Sequence, residues 1–303
     1  MMNADAHFTR REWLKTSAAS LICSGLGIGG LEAAARKRTG MKKALMFGMV
    51  KMEGTLLDKF RMLKEVGYDG VELDSPGFDV SEVLKARDAT GLEICGVVDS
   101  VHWKQTLSDP DPKVRAAGLA GLETALRECK QYGGSSVLLV PAVVNKEVSY
   151  ADAYTRSQAE IRRALPLAEK LKIKIAVENV WNQFLLSPLE AARYVDEFKS
   201  PWIGWHLDIG NLITFGWPEH WIGVLGKRIV KLHIKEFSRK KRDEEGLRAG
   251  FNVNLWEGDC DWPSVMKALD EVGFQGWGSA ELAGGGRERL KDISERMDRI
   301  YES

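Results

Sequence analysis

The sequence has 303 residues, of which 44% are hydrophobic and 28% are charged, as in an ordinary globular protein. Lys and Arg together number 43, and so do Asp and Glu, which makes the formal net charge zero. This balance argues against a nucleic-acid partner, since proteins that bind phosphates usually carry a basic excess. The four cysteines show no CxxC spacing, which argues against a zinc knuckle or a disulfide framework.

Residues 1–35 predict an export signal. Arg10 and Arg11 are followed by Trp-Leu-Lys, then by a weakly apolar run rich in Ala, Ser and Gly, and by an alanine-rich cleavage site at residues 33–35. These are the parts of a secretory leader, and the paired arginines resemble a twin-arginine (Tat) signal. We therefore expect the Tat translocase to export the protein to the periplasm or another extracytoplasmic site, without a stable membrane anchor. The alternative is an amphipathic N-terminal helix or a disordered tail.

From residue 42 to residue 303, short apolar segments alternate with longer amphipathic ones, which predicts βαβ units and a parallel sheet. Eight strands are predicted, at residues 43–49, 70–74, 93–98, 136–141, 173–179, 203–208, 229–235 and 277–282. Eight units in a chain of this length favour an α/β fold with a single (β/α)8 TIM barrel as the catalytic domain. The alternative is an open doubly wound sheet, but no GxGxxG turn follows the first strand.

Helices with apolar residues at three- and four-residue spacing are predicted between the strands, at residues 55–66, 112–132, 150–170, 188–198, 262–272 and 287–301. Several end at a glycine, which adopts the left-handed cap at little cost. The long connection 237–260 begins with a charged run and becomes rich in Gly and aromatic residues. Connections of this length are usually functional lids or flexible segments, and we expect the charged run to be a solvated stretch.

Four consecutive predicted strands end in a side chain that can bind a metal ion. These residues are Glu178, Asp208, His233 and Glu281. The C-terminal ends of barrel strands form one mouth, where the active site lies. Three carboxylates at one mouth repel each other unless a cation lies among them. We therefore predict one divalent metal ion held by all four residues, and the alternative is a cluster of salt bridges with Lys231 or Lys235.

The predicted donor set of three oxygens and one imidazole suits Mn²⁺ first, with Mg²⁺ or Co²⁺ as alternatives. Four protein ligands on an octahedral ion leave two positions for adjacent substrate oxygens. An ion in this position polarises a carbonyl and stabilises the enediolate that forms when the neighbouring carbon loses its proton. Glu178 and Glu281 lie on strands separated around the barrel, so we predict that they form the acid/base pair.

Five segments together resemble the xylose-isomerase-like TIM-barrel superfamily, and most of all its sugar phosphate isomerase/epimerase group, similar to the ketose 3-epimerases. The segments are 67–73 (GYDGVEL), 177–179 (VEN), 207–211 (LDIGN), 232–235 (LHIK) and 258–262 (GDCDW). The resemblance runs from about residue 42 to the C-terminus. It implies a metal-dependent sugar isomerase or epimerase, with a Mn²⁺-type ion on the four residues above and proton transfer by the two glutamates through an enediolate.

Two positions depart from the ketose 3-epimerase pattern. Asn211 stands where those enzymes often have a substrate-binding histidine, and Phe184 stands where they have a second glutamate. The departures argue against ketose 3-epimerase activity itself and leave the metal ligands in place. Export favours a free, oxidised or glycosidic sugar over a phosphorylated one. The alternative activity is that of a metal-dependent lyase, which cleaves a 3-keto-glycoside by α-proton abstraction and β-elimination.

Seven further residues are predicted to contact the sugar substrate. They are Glu72, His102, Trp103, Trp181, His206, Asn211 and Lys235. Lys235 and His206 share the parity of the metal ligands on their strands, so both should point into the barrel. The alternative for Lys235 is an ion pair with Glu281 or Glu236, and that for His206 is a hydrogen-bonded position in the core. Glu72 could instead form structural hydrogen bonds, and Asn211 could orient the metal ligands by hydrogen bonds. The alternative for the tryptophans is packing in the core.

Two other functions are weighed against the enzyme. A non-catalytic sugar-binding barrel is an alternative, although retention of all four ligands argues against it. An apurinic endonuclease shares the superfamily and needs a His-rich three-metal site, whereas this sequence has five histidines, with His7 in the predicted leader. The predicted partner is therefore a small sugar and not a nucleic acid, and the sequence is compatible with an oligomer.

Overall fold

The computed structural model describes residues 40–303, which form a barrel of eight parallel strands. The strands are β1 (Met41–Leu45), β2 (Gly70–Ser75), β3 (Glu93–Asp99), β4 (Ser136–Leu139), β5 (Lys174–Glu178), β6 (Ile203–Asp208), β7 (Ile229–Ile234) and β8 (Gly276–Ala280). Their order is β1-β8-β7-β6-β5-β4-β3-β2, and a parallel bridge between Met46 and Glu72 joins the end of β1 to β2. The predicted single (β/α)8 TIM barrel is confirmed.

Ten α-helices lie among the described residues. They are α1 (Leu56–Glu65), α2 (Val80–Thr90), α3 (Pro112–Tyr132), α4 (Tyr150–Leu171), α5 (Pro188–Asp196), α6 (Ile209–Ile213), α7 (Pro218–Leu225), α8 (Arg239–Glu245), α9 (Trp262–Glu271) and α10 (Arg287–Tyr301). The six predicted helices are present with their ends shifted by at most two residues. Helices α2, α6, α7 and α8 were not expected from the sequence.

The charged run after β7 is a short helix, α8, and not only a solvated stretch. Ser238 begins it, because the Ser238 hydroxyl accepts a hydrogen bond from the backbone N–H of Lys241. Arg239 donates to the carbonyl oxygens of Ile213 and Gly216, and Arg242 donates to that of Thr214. These bonds tie the connection after β7 to the segment after β6. The expectation of solvent exposure is met, since α8 has no buried residue.

The strand ends at the mouth of the barrel differ from the predicted ones. The first strand ends at Leu45 rather than at residue 49, because Phe47–Met49 forms a 3-10 turn. The last strand ends at Ala280, so Glu281 is the first residue beyond it. Beyond these strand ends, the segments after β1 and β8 still contact each other, since the backbone N–H of Gly285 donates to the Met49 carbonyl at 3.0 Å. Apolar runs alone do not show where the ladder between two strands ends.

The barrel interior contains charged and polar side chains as well as the apolar core. Strand residues are buried on both faces, as parallel strands under helices require, and all six residues of β6 are buried. Side chains of Glu72, His206, Lys231 and His233 meet in the centre, each at most 1% exposed. Gly96 makes room for Lys231, because a Cβ there would lie 2.5 Å from the lysine Nζ.

Asp99, the last residue of β3, makes the stability of the fold depend on pH. Its side chain is 1% exposed, and burial raises its pKa to about 7 from an ordinary value of 3.8. Between these pH values the folded chain keeps a proton that the unfolded chain has released, so the free energy of unfolding falls as pH rises. In Asp99→Asn this carboxyl group is absent, so its contribution to the fall in the free energy of unfolding is absent too. We therefore expect the free energy of unfolding of the variant minus that of the wild type to rise by about 2–3 kcal/mol between pH 5 and pH 8.

Urea denaturation of both proteins at the two pH values, with a chelator present throughout, measures this difference. Other titrating groups are common to both proteins and cancel. Glu271→Gln is the matched control for replacing a carboxyl group by an amide, because the Glu271 side chain is 66% exposed rather than buried. A stability difference for Asp99→Asn that is the same at both pH values contradicts the prediction.

The predicted export signal, residues 1–35, lies outside the described residues and stays a prediction. Within residues 40–303, none of the helices combines the length and apolar character that a membrane crossing requires.

Candidate active site and metal centre

The four predicted metal ligands converge at the C-terminal mouth of the barrel. Glu178 ends β5, Asp208 ends β6, His233 is the fifth residue of β7, and Glu281 directly follows β8. One ligand atom from each lies within 4.8 Å of all the others. The neighbouring positions of β5 to β8 in the sheet bring together residues that are up to 103 positions apart in the sequence.

His233 is at the centre of this group. Its Nδ1 lies 2.8 Å from Glu178 Oε1, 3.3 Å from Glu281 Oε2 and 4.0 Å from Asp208 Oδ2. Its Nε2 lies 3.2 Å from Glu72 Oε2 on the opposite side of the ring. Burial acts to lower the pKa of His233, but Glu281 and Glu178 outweigh it and raise that pKa well above its ordinary value. With a metal ion at Nδ1, the ring would instead keep one proton, on Nε2, and donate it to Glu72.

Asp208 is held by hydrogen bonds to two asparagines. The backbone N–H of Asp208 donates to Asn179 Oδ1 at 3.0 Å, and Asn179 Nδ2 donates back to the Asp208 carbonyl at 2.7 Å. Asp208 is also the N-cap of α6, where its Oδ1 accepts from the Asn211 N–H at 2.9 Å. Asp208 Oδ2 remains for the ion and for Lys235, whose Nζ is 3.4 Å away.

Lys235 lies between two of the carboxylates. Its Nζ is 2.8 Å from Glu281 Oε2, so of the two ion pairs considered for it, that with Glu281 is present and that with Glu236 is not. Gly210 makes room for the lysine stem, because a Cβ at that position would lie 2.7 Å from Lys235 Cγ. This contact explains a glycine two residues after Asp208.

Burial and neighbouring charges shift the pKa values of the carboxyl groups of this site in opposite directions. Burial raises the pKa of Glu178, and it raises that of Asp208 to about 7. Burial also acts to raise the pKa of Glu281, but the charges of His233 and Lys235 outweigh it and lower that pKa. The two glutamates thus differ in their electrostatic surroundings, since of the two only Glu281 has a salt-bridge contact with Lys235.

The chemistry of the four donors fits a divalent cation. A neutral imidazole nitrogen that faces carboxylate oxygens at 2.8 and 3.3 Å is repelled by them unless a proton or a metal ion lies between. Three carboxylate oxygens and one imidazole nitrogen, without sulfur, match the preferences of Mn²⁺-like ions. The salt-bridge alternative accounts for part of the charge, since Lys235 contacts Asp208 and Glu281 but makes no contact with Glu178 within salt-bridge distance.

A second group of side chains lies beneath the four candidate metal ligands, inside the barrel. Glu72 on β2 accepts a hydrogen bond from Lys231 Nζ at 2.8 Å and faces His233 Nε2. Burial acts to raise the pKa of Glu72, but Lys231 and His233 hold it well below its ordinary value. His206 lies 4.1 Å from the His233 ring, between ring centroids, and within residues 40–303 no protein atom forms a hydrogen bond with either of its nitrogens. His206 is thus a core residue, as one of the alternatives had it, and its hydrogen bonding stays a prediction.

A cavity of about 490 Å³ opens above the four ligands. It is lined by Met46, Val98, His102, Trp103, Leu138, Glu178, Val180, Trp181, Asn211, His233, Lys235, Arg248, Phe251, Glu281, Leu282 and Ala283. Five of the seven predicted substrate contacts belong to this wall. The other two, Glu72 and His206, lie below it, and their predicted contact with substrate gains no support from their position. Asp208 does not line the cavity either, although one of its carboxylate oxygens lies within 4.8 Å of the other three ligand atoms.

His102 and Trp103 form one side of the cavity, and Trp181 forms another. The backbone N–H of Val140 donates to His102 Nδ1 at 3.2 Å, and burial lowers the pKa of His102 to about 3, so the ring is neutral with its proton on Nε2. Trp103 packs edge-on against His102 and is 50% exposed. Trp181 is fixed by a hydrogen bond from its Nε1 to the Asn211 carbonyl at 3.0 Å and packs 4.9 Å from Phe251, between ring centroids.

Sequence reasoning missed Arg248 and Phe251, which come from the connection 237–260 and line the cavity. The length of that connection after β7 was the signal that could have found them. Glu236 anchors the connection, because its buried carboxylate accepts four N–H bonds. The donors are the backbone N–H groups of Phe237, Trp256 and Cys260 and the Nε1–H of Trp262. Gly258 is required there, since a Cβ would lie 2.5 Å from the Phe237 carbonyl oxygen.

An eight-stranded parallel barrel, with a cavity at the C-terminal ends of its strands and four metal-capable side chains at the bottom of that cavity, defines the class of the protein: a (β/α)8 barrel with a candidate metal site at its mouth. The chain belongs to the xylose isomerase-like TIM barrel family, whose match extends over residues 60–302. The family resemblance predicted from the five sequence segments is thereby confirmed.

Two curated relatives are epimerases. The chain is 28% identical over 172 residues to a 2-epi-5-epi-valiolone 7-phosphate 2-epimerase of Actinoplanes sp.. This matched segment covers 54% of this chain and 60% of the relative. It is 35% identical over 92 residues to a 3-dehydro-D-guloside 4-epimerase of Escherichia coli K12, which covers 29% of this chain and 33% of the relative. The matched segments thus span less than two thirds of either relative.

A solved structure with the same fold is that of the IOLI protein with a bound zinc atom. The two structures superpose with a TM-score of 0.69 at 17% sequence identity, covering 86% of this chain and 98% of that chain.

Proposed function

We propose that the protein is a divalent-metal-dependent epimerase or isomerase that moves a proton on the carbon next to a keto group of a sugar. The observation that carries the proposal is the convergence of Glu178, Asp208, His233 and Glu281 at the bottom of a cavity, with one ligand atom of each within 4.8 Å of the others. The epimerase activities of the two curated relatives support it.

Glu178, Asp208, His233 and Glu281 would hold the ion, with Mn²⁺ as the expected metal and Mg²⁺ or Co²⁺ as alternatives. When bound, such an ion supplies the Lewis acidity that makes the α-carbon proton of a ketose or keto-glycoside acidic. A barrel of the same fold has been solved with a bound zinc atom, which supports the proposal that this fold can hold a metal ion.

The other steps belong to side chains of this chain. Glu178 and Glu281 line the cavity and exchange the α-proton, one from each side of the sugar. Lys235 and the neutral His102 line the same cavity and donate hydrogen bonds to the oxygen that gains charge as an enediolate forms. Trp103, Trp181 and Phe251 present aromatic faces for the C–H groups of the sugar and exclude water.

The departures from the ketose 3-epimerase pattern favour a different sugar from a simple ketose. Phe184 is 2% exposed and packs against Tyr150, Tyr154 and Tyr194, so the position of the second glutamate is part of the apolar core. The Asn211 side chain is used to hold the Asn179 carbonyl at 3.0 Å. Together with the proposed export to an extracytoplasmic site, this favours a free, oxidised or glycosidic sugar.

The test is metal-dependent exchange of substrate protons with solvent. The full chain is stripped with a chelator, reloaded with Mn²⁺, Mg²⁺ or Co²⁺, and incubated in deuterated water with free ketoses and with methyl 3-keto-glucosides. We expect incorporation of deuterium next to the keto group and an epimeric product, both dependent on the metal. Release of methanol without an epimer would instead identify the lyase alternative. Tight sugar binding without exchange on any substrate would identify a sugar-binding barrel and refute the proposal.

A further inference from the structure

A second cavity, of about 690 Å³, adjoins the first. The two share four lining residues, Val180, Trp181, Asn211 and Arg248. The second cavity lies between the segments after β5 and β6 and the 3-10 turn Leu247–Phe251 that follows α8. The two cavities are therefore neighbours on either side of Trp181, Asn211 and Arg248.

The lining of the second cavity is apolar where that of the first is charged. Its own residues include Val144, Tyr150, Phe184, Leu185, Leu186, Leu212, Phe215, Trp221 and Leu247. Of residues 40–303 that line it, only Arg248 is charged, whereas the first cavity is also lined by Glu178, Glu281 and Lys235. Sugar hydroxyls in the second cavity would find few hydrogen-bond partners, while an apolar group would lose water from both surfaces.

The apolar side chains here are exposed to an unusual degree. Leu186, Phe215 and Leu247 are 67%, 73% and 53% exposed, and they are three of the six large hydrophobic residues that are exposed in the described part of the chain. All three line this one cavity. Exposed apolar side chains that cluster at a concave surface mark a binding site.

The segment after β5 forms this wall at a conformational cost. Gln183 and Leu185 have φ values of 59° and 56°, in the left-handed region that residues other than glycine rarely adopt. The segment is held there by a hydrogen bond from Asn182 Nδ2 to the Ala142 carbonyl at 2.8 Å and by one from the Leu185 N–H to the Tyr150 hydroxyl at 2.9 Å. The wall is thus a built surface that exists before any ligand binds.

From these observations we infer that the second cavity is an aglycone subsite: the sugar ring occupies the first cavity, and an apolar, aromatic group joined to it by a glycosidic bond occupies the second. This inference rests on the proposed function and narrows its substrate to keto-glycosides with an apolar aglycone. A free monosaccharide would fill only the polar cavity and leave the built apolar wall unused.

The experiment compares methyl and para-nitrophenyl 3-keto-glucosides, in both anomeric forms, with the Mn²⁺-loaded full chain. We expect kcat/KM for α-proton exchange to favour the aryl glycoside by about tenfold or more in one anomeric series. Phe215→Ser and Leu247→Ser should each lower that preference by about fivefold through KM, because they remove apolar wall surface from the aglycone alone. Leu189→Ser is the matched control, since Leu189 is 72% exposed but does not line the cavity, and it should keep the wild-type preference.

Equal kcat/KM for the two glycosides in both anomeric series overturns this inference while leaving the proposed function intact. If no keto sugar exchanges its α-proton at all, the proposed function fails. The aglycone subsite is then tested separately by calorimetry, and equal affinities for the methyl and para-nitrophenyl glycosides overturn it. A third outcome is a self-association surface. In that case Phe215→Ser converts a dimer into a monomer in sedimentation experiments without changing the preference, which also overturns the inference.

Discussion

Replacing Glu281 by glutamine is expected to reduce the rate of epimer formation by about 10²–10⁴-fold. The change removes a carboxylate that lines the cavity and lies 2.8 Å from Lys235 Nζ and 3.3 Å from His233 Nδ1. The amide that replaces it has the same size but is not a base. Product formation is followed by NMR, and metal content is measured on the same sample so that loss of the ion is told apart from loss of the base.

Comparison with Glu178→Gln makes this prediction sharper. If the two glutamates act from opposite sides of the sugar, each variant removes the base for one epimer only. One variant should therefore still exchange the α-proton of a given epimer with solvent while failing to form the other epimer. Glu53→Gln serves as the control, because Glu53 is an exposed residue of the segment after β1 and does not line the cavity. Full epimerisation by metal-loaded Glu281→Gln would contradict the assignment.

Replacing Glu72 by glutamine is expected to lower the free energy of unfolding by about 3–5 kcal/mol, because it leaves the Lys231 ammonium buried without its anionic partner. The side chains of Glu72 and Lys231 are 0% and 1% exposed, and the pair is 2.8 Å apart. The same change weakens the hydrogen bond that orients His233 from below. We therefore expect the affinity for the metal ion to fall by about 10–100-fold as well.

The two effects of Glu72→Gln separate in a double variant. Glu72→Gln/Lys231→Met removes both charges of the pair, so stability measured by urea denaturation with a chelator should largely recover. Metal affinity measured by calorimetry should stay low, because His233 still lacks its carboxylate partner. Lys231→Met alone, with Glu72 retained, should lose stability but keep more of the metal affinity. Wild-type metal affinity in the double variant would show that Glu72 does not position His233.

The fold was predictable from the sequence because the alternation of apolar runs and amphipathic helices repeats along the chain. Helix α2 escaped prediction because its apolar face is weak: only Val83 and Ala86 are buried in it. Helices α6 and α8 are five and seven residues long, too short for the periodicity of a helix to show. The strand ends at β1 and β8 also differed, since hydrogen bonding to a neighbouring strand decides them.

The four candidate ligands were predictable because strand parity and position at the strand end depend on local sequence alone. The contacts of a side chain inside the barrel do not. Asp208 and His206 have the same parity on β6 and neither lines the cavity, and only the folded barrel shows that His206 packs 4.1 Å from the His233 ring, between ring centroids. Arg248 and Phe251 reach the cavity only because the segment after α8 folds back over the mouth, which no local pattern encodes.

Local chemistry by itself determined the barrel, the four groups that face its mouth and the type of ion they suit, because periodicity, parity and donor type are properties of single segments. Tertiary structure alone decided which carboxylate meets which cation, how Glu72 supports His233, and that an apolar cavity adjoins the polar one. Those features depend on the stagger of strands and the packing of loops distant in the chain, which only the folded molecule brings together.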